Sequence, residues 1–175
     1  MKKVLCVLIL TAVIGAGTAF ADHPGGWGIG VQGGSSFGWG VFGGNAFALG
    51  AGVGLSLKIP NVPVYWGIDV DFIPLRIGIT GDIYFLDMMI VPDLLHWYLG
   101  GGLGVGVGFV PLGLDITARL PIGLSFQIPI RSGIEAIEIF IQVVPSVGIG
   151  FHFSAGSGVY LAGGFGFGGG FRIWF

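Results

Sequence analysis

This chain of 175 residues has few charged side chains, and many of them lie at alternate positions of apolar segments. Asp69 and Asp71 are two positions apart, and Asp115 and Arg119 are four apart. In a β-strand, positions separated by an even number face the same side, so these side chains would point into one interior. Buried ions are stable only when they are paired and hydrogen-bonded, which predicts an interior network of ion pairs. Its predicted members are Lys58, Asp69, Asp71, Arg76, Asp82, Asp115, Arg119, Glu138 and Arg172.

The predicted network contains four positive and five negative side chains. Such a near balance has two interpretations: a set of salt bridges that closes the interior, or a narrow or gated path for ions. A chain reversal at Ile73-Pro74 would bring Asp71 opposite Arg76, and the last hairpin would bring Glu138 beside Arg172. The sequence leaves both interpretations open.

The sequence gives little support for a metal site or for catalysis. The three histidines, His23, His96 and His152, fall at separated ends of apolar segments, so we predict no metal site and no cofactor. His152 could join Ser154 and Asp115 in a hydrolytic triad, but a histidine at the end of a strand has a simpler interpretation. We therefore predict no catalytic residue and no enzymatic activity.

The composition determines which solvent the protein prefers. The chain is 53% hydrophobic and only 9% charged, with a mean hydropathy of +0.91. A soluble domain carries about 25% charged residues, so the charges here cannot cover a water-facing surface. The 37 glycines each cost about 1 kcal/mol relative to Ala in a helix, which disfavours helical membrane spans. A closed β-barrel is the remaining way to cross a bilayer. The alternative, a glycine-rich coat protein, does not predict alternating polarity.

Residues 1–21 have the architecture of a secretory signal peptide. Two lysines precede an apolar stretch over 4–14, and the segment ends in Ala19-Phe20-Ala21. We predict cleavage after Ala21, which leaves residues 22–175 as a single barrel domain.

Removal of this segment also removes Cys6, the single cysteine, together with two of the seven basic residues. The mature chain then has five basic and nine acidic residues, a net charge of −4. No basic patch remains that could bind nucleic acid, so we predict no nucleic-acid partner.

Polarity alternates with a period of two along most of the mature chain. In 114–127, large apolar residues hold the even positions and small or polar residues hold the odd ones, apart from Pro121. A strand between lipid and a barrel interior requires this pattern. We interpret Pro121 and Pro145 as bulges, since proline cannot donate to a strand ladder. The pattern predicts an all-β fold, an antiparallel up-and-down transmembrane β-barrel with eight strands: 26–39, 46–58, 64–72, 75–85, 96–109, 113–127, 134–153 and 158–175.

Glycines fill the inward positions of two predicted strands. The fifth strand has five of them, and the eighth has Gly164, Gly166, Gly168 and Gly170. Their lack of side-chain volume predicts either that long arginines lie across the gap or that a cavity remains.

The last eleven residues, 165–175, have apolar side chains at alternate positions and end in phenylalanine. This ending resembles the C-terminal assembly signal of bacterial outer-membrane barrels, carried here by Phe171, Ile173 and Phe175. The whole mature chain resembles the small barrel class that includes the OmpA transmembrane domain, OmpX and OmpW. The resemblance implies a bacterial outer-membrane location, a periplasmic C-terminus, and outer-membrane lipid and the barrel assembly machinery as partners.

With that orientation, four of the five tryptophans fall near the periplasmic rim and one near the other rim, as an aromatic girdle at each membrane interface predicts. The girdle residues are Trp27, Trp66, Trp97 and Trp174 at one rim and Trp39 at the other. The predicted periplasmic turn over 86–95 is the longest, whereas small barrels usually have their long loops outside the cell.

Three functions follow as hypotheses. The first is a non-enzymatic outer-membrane barrel with a structural or small-solute and ion-permeation role, its interior largely closed by charges. The alternative is a surface interaction protein, such as an adhesin, that presents loops 38–45 and 154–158 to a host or envelope ligand. The third is a lipid-modifying barrel enzyme.

Overall fold

Antiparallel β-strands form the regular secondary structure of the protein in the computed structural model, which describes residues 24–40, 47–110, 112–130, 133–153 and 158–175. The prediction of an all-β antiparallel chain is confirmed. In these ranges no helix is long and apolar enough to cross a membrane. The strands are β1 (Gly28–Gly40), β2 (Phe47–Lys58), β3 (Tyr65–Phe72), β4 (Leu75–Val91), β5 (Leu95–Phe109), β6 (Leu112–Arg119), β7 (Ile122–Pro129), β8 (Ala136–His152) and β9 (Gly158–Trp174).

The strand pairings close into a ring. Successive strands pair from β1 to β5, β8 pairs with β9, and β9 returns to pair with β1. At the closing seam Gly28 lies opposite Trp174, and Gly40 lies opposite Ala162. β6 and β7 both lie between β5 and β8. Each described strand therefore has neighbours on both sides, and the ring has no free edge strand in the described chain.

The prediction of eight strands is wrong, because the sixth is divided at Pro121. β6 ends at Arg119 and β7 begins at Ile122, since proline has no N–H to continue the ladder. The backbone stays in place through two other hydrogen bonds: Gly100 N donates to Pro121 O at 2.8 Å, and Leu120 N donates to Pro145 O at 2.9 Å. The bulge predicted at Pro145 is wrong, because β8 continues through this residue without a shift in its register with β9.

The long turn predicted over 86–95 is also wrong. β4 continues to Val91, and only residues 92–94 form the turn. The register between β4 and β5 shifts between Tyr84 and Leu86 and again between Met89 and Val91. These irregularities break the period of two, which is why the alternation seemed to stop at residue 85.

The two faces of the ring differ in chemistry. Large apolar side chains are exposed on the outer face of all nine strands, among them Leu49, Leu103 and Ile141 with 72%, 63% and 60% of their surface accessible. Glycine, polar and charged residues, together with buried aromatic rings, occupy the alternate, inward positions. Outward and inward positions thus follow the alternation seen in the sequence.

The ring has two ends. At the terminal rim, Trp27 N donates to Phe175 O at 3.1 Å and Phe175 N donates to Trp27 O at 2.9 Å. The opposite rim contains the turn at Ile73-Pro74. The predicted signal peptide, including Ala21, lies outside the described residues, as do most of loops 38–45 and 154–158.

Candidate functional site inside the ring

The terminal half of the interior is filled by side chains that form a closed plug. Each of these residues keeps 5% or less of its surface accessible. The plug consists of Ser56, Tyr65, Tyr84, Tyr98, Ser125, Glu138, Phe140, Arg172 and Trp174.

An ion pair forms the centre of the plug. Glu138 and Arg172 are direct partners in the β8–β9 register, and Arg172 Nη1 lies 3.0 and 3.1 Å from the two oxygens of Glu138. Ser125 Oγ and Trp174 Nε1 also donate to this carboxylate, at 2.8 and 2.9 Å. Arg172 Nε donates to Ser56 Oγ at 2.7 Å. The buried charges are thus paired and hydrogen-bonded, as their burial requires.

Aromatic rings fill the space around this ion pair. The ring of Tyr84 is stacked between those of Tyr65 and Tyr98, with centroids 4.1 and 4.3 Å away. The Arg172 guanidinium lies 4.1 Å from the Phe140 centroid and 5.0 Å from that of Tyr65, which are cation–π distances. Since these rings come from β3, β4, β5 and β8, the plug joins strands on opposite sides of the ring.

Trp174 was predicted to lie in the aromatic girdle, and this is wrong. Its side chain has no accessible surface and donates to Glu138 inside the plug. The reason is strand parity, because Trp174 is two positions from the inward Arg172 and must share its face.

The other girdle residues lie on the outside. Trp27, Trp39 and Trp66 are exposed, and Trp97 is half-buried. Of the predicted assembly signal, Phe171 and Phe175 are exposed, and Ile173 is half-buried next to β1. Their roles at a membrane interface and in assembly remain predictions.

The opposite half of the interior contains a second ion cluster, around Arg76. Arg76 donates to both oxygens of Asp115, from Nε at 2.9 Å and from Nη2 at 2.7 Å, which is the strong bidentate geometry. Its Nη1 donates to Asp71 at 3.0 Å, and Asp71 lies opposite Arg76 in the register, as the turn at Ile73-Pro74 predicts. The guanidinium also lies over Gly106, where a Cβ atom would come within 2.2 Å of Nη2.

Gly106→Ala should therefore destabilise the protein by about 1–3 kcal/mol, because the new methyl group displaces Arg76 from Asp115. Urea unfolding of the refolded protein measures this change. Gly166→Ala is the matched control, since a Cβ there would meet only Val144, at 3.6 Å and beyond. Equal stability of the two variants would contradict a supporting role for Gly106.

The predicted network of nine is in fact divided. Arg119 Nε lies 3.0 Å from Asp82 Oδ1 as a third ion pair. Lys58 takes no part in an ion pair among the described residues; its Nζ donates to the carbonyl oxygens of Val62 at 2.6 Å and Ile59 at 3.2 Å. As the last residue of β2, it reaches carbonyl oxygens of the following turn. Asp69 accepts a hydrogen bond from Gln32 and likewise has no ion pair in the described chain.

A cavity of about 390 Å³ occupies the opposite half, beside the Arg76 cluster. Its other wall is formed by glycines of β1 and β9, including Gly34, Gly166 and Gly168. Ser36 lines the cavity and is exposed, so the cavity communicates with solvent. Both outcomes predicted from the inward glycines therefore occur: an arginine lies across glycine on β5, and a cavity remains beside β9.

Several interior residues were missed. His96 and Asp87 form a buried pair near the terminal rim, with Nδ1 and Oδ1 3.3 Å apart, and the irregular register of β4 conceals Asp87. The three tyrosines of the plug could have been found from the alternation of side chains along each strand. Tyr65 is four positions from Asp69, and Tyr84 is two from Asp82, so each shares the inward face of a predicted charge.

Of the hypothetical triad, His152 and Asp115 are not hydrogen-bonded to each other. The ring of His152 stacks on Tyr160 at 4.5 Å, while both oxygens of Asp115 are held by Arg76. Ser154 lies outside the described residues. Within the described ranges no group of three or more His, Cys, Asp or Glu side chains could hold a metal ion.

The fold and the interior together define a class: antiparallel all-β proteins whose strands pair in a ring, with an apolar outside and a polar inside. Comparisons of this chain with protein-family models, with curated proteins and with solved structures gave no match. Its function is therefore argued from the two faces of the ring and from the contents of its interior.

Proposed function

We propose that this chain is an integral outer-membrane β-barrel protein with a structural role, closed to solutes at its terminal rim. The observation that carries the proposal is the exposed apolar outer face on all nine strands. Soluble monomers rarely expose contiguous apolar patches larger than a few hundred Å². Lipid is the solvent in which such a face is stable, and a closed ring leaves no unpaired strand edge in the hydrocarbon.

The strand lengths support the same proposal. A tilted membrane strand needs about 9–11 residues to cross the hydrocarbon. β1, β2, β4, β5, β8 and β9 have 12 to 17 residues, and β3 is shorter, with 8. β6 and β7 have 8 each and follow one another between the same two neighbours, so together they cover a full crossing.

The plug favours closure over permeation. A solute path through the ring would have to cross the layer in which Glu138, Arg172 and Trp174 keep at most 2% of their surface accessible. An eight-crossing barrel is also narrow enough for its own side chains to fill. The interior charges therefore favour a closed interior over a path for ions.

Membrane fractionation of cells that express the full chain tests the proposal, followed by gel electrophoresis with and without boiling. We expect the protein in the outer-membrane fraction, with outer-membrane lipid and the barrel assembly machinery as its partners. The unboiled protein should migrate differently from the boiled one, because a closed barrel resists the detergent. A soluble protein whose mobility does not depend on heating would contradict the proposal.

In planar bilayers the wild-type protein should show no stepwise current. The double variant Glu138→Ala, Arg172→Ala should conduct, because it opens the plug without leaving one buried charge unpaired. The control double variant Arg76→Ala, Asp115→Ala removes the same kinds of charge from the opposite half and should remain silent. Conduction by the wild type, or equal currents from both double variants, would show that the plug does not close the interior.

A further inference from the structure

The cavity of the opposite half has a carboxylate that lacks a cation. Asp69 lines the cavity, and its only polar partner in the described chain is Gln32, whose Nε2 donates to Oδ1 at 2.7 Å. Neighbouring carboxylates are ion-paired: Asp71 and Asp115 share Arg76, and Asp82 pairs with Arg119. The cavity is lined by three carboxylates, Asp69, Asp71 and Asp115, and by two guanidiniums, Arg76 and Arg119. Since Arg119 also pairs with Asp82 beside the plug, negative charge is in excess on this wall.

The floor of the cavity beside Asp69 is polar. A Cβ atom on Gly67 would lie 2.5 Å from Thr80 Oγ1, 2.6 Å from Gln32 Nε2 and 3.1 Å from Asp69 Oδ2. Three polar groups from three strands thus converge above a residue that has no side chain. Asp69, Gln32 and Thr80 also line the main cavity, so their polar groups are available to a ligand there.

The guanidiniums near the cavity are already engaged. The Nε, Nη1 and Nη2 atoms of Arg76 each donate to a carboxylate, and Arg119 is paired with Asp82. Because carboxylates outnumber guanidiniums on this wall, a cation is favoured over an anion, and it would meet the carboxylate of Asp69. The volume of about 390 Å³ lies in the range of small-ligand sites, roughly 300–1,000 Å³.

We propose that this cavity binds a small organic cation, a primary amine or short diamine, with one ammonium group on Asp69. The ammonium donates to Oδ2 of Asp69 and to the hydroxyl of Thr80, and the alkyl chain lies along the glycine wall of β9. Ser36, which is exposed, marks the side from which the ligand enters. The glycines at Gly166 and Gly168 leave the room that the chain occupies.

Isothermal titration calorimetry on the purified, folded protein in detergent tests this inference with 1,4-diaminobutane. We expect saturable binding that weakens with added salt, and at least tenfold weaker binding of 1,4-butanediol, which has the same length without charge. Asp69→Asn should weaken diamine binding at least tenfold. The exposed Asp93→Asn, at the turn of the terminal rim, should leave it unchanged.

Gly166→Leu provides a second test that keeps Asp69 intact. A side chain at this position fills the cavity, and the Cβ itself meets only ordinary contacts with Val144, so the variant should fold and lose diamine binding. The inference is overturned if the folded wild type shows no saturable binding, if the diol binds equally, or if neither variant weakens binding. A soluble, folded chain that bound the diamine would refute the membrane proposal alone.

Discussion

Glu138→Gln should lower the free energy of unfolding by about 3–5 kcal/mol, because it leaves the buried charge of Arg172 without a counter-ion. The substitution keeps the shape of the side chain, so the effect comes from the lost charge and not from a cavity. Ser125 and Trp174 also lose part of their acceptor, since both donate to the Glu138 carboxylate. Urea unfolding of the refolded protein in lipid vesicles measures the change.

Glu135→Gln is the matched control for this prediction. Glu135 lies three positions earlier, close to the terminal rim, and its side chain is exposed. The same neutralisation there should change stability by no more than about 0.5 kcal/mol. If the two variants were equally stable, the Glu138–Arg172 pair would not hold the plug together.

Leu103→Arg should lower stability in lipid vesicles by about 2–4 kcal/mol, the cost of a cation near the middle of a bilayer. Leu103 is the ninth of the 15 residues of β5, and 63% of its surface is accessible. In a protein surrounded by water, arginine at such an exposed position would cost almost nothing. The sign and size of this effect therefore report which solvent covers the outer face.

Val110→Arg is the control for the membrane prediction. Val110 directly follows β5 at the opposite rim and is 73% exposed, so its substitution should cost only about 0–1 kcal/mol. A cost at Leu103 no greater than that at Val110 would argue against a hydrocarbon layer at mid-strand.

Much of the fold can be predicted from the alternation of side chains alone. The even positions of 114–127 are outward in the structure, and the predicted neighbours Asp71 and Arg76 are paired across the β3–β4 hairpin. The alternation is informative because the two faces of the strands have opposite polarity, so a shift of one residue would exchange them completely.

The features that the sequence did not predict arise from backbone irregularities and from competition between alternative hydrogen-bond acceptors. Pro121 divides a strand because its missing N–H interrupts the ladder, whereas Pro145 is accommodated within β8. The shifted register of β4 hid Asp87. Lys58 bonds to turn carbonyls instead of joining the carboxylates, and no pattern of spacing indicates which acceptor a flexible side chain will choose.

The two halves of the interior have different roles in the protein. The plug places one buried ion pair and a stack of aromatic rings where the termini meet, and it fixes the strands to one another. The other half replaces side chains with glycine and retains a solvent-connected cavity with an excess of negative charge. The plug closes the ring beneath the accessible cavity. This arrangement suits a protein that binds a ligand at one surface and does not conduct ions.

Nitroxide scanning of four consecutive positions, residues 165–168, tests the central proposal most directly. Cys6, the single cysteine, is replaced by Ser, and spin-labelled cysteines are introduced one at a time in protein refolded into vesicles. Labels at Phe165 and Phe167 should be relaxed mainly by oxygen, which concentrates in lipid, and labels at Gly166 and Gly168 mainly by a water-soluble nickel complex. Strong nickel relaxation at all four positions would mean that water covers both faces, and the membrane barrel would be refuted.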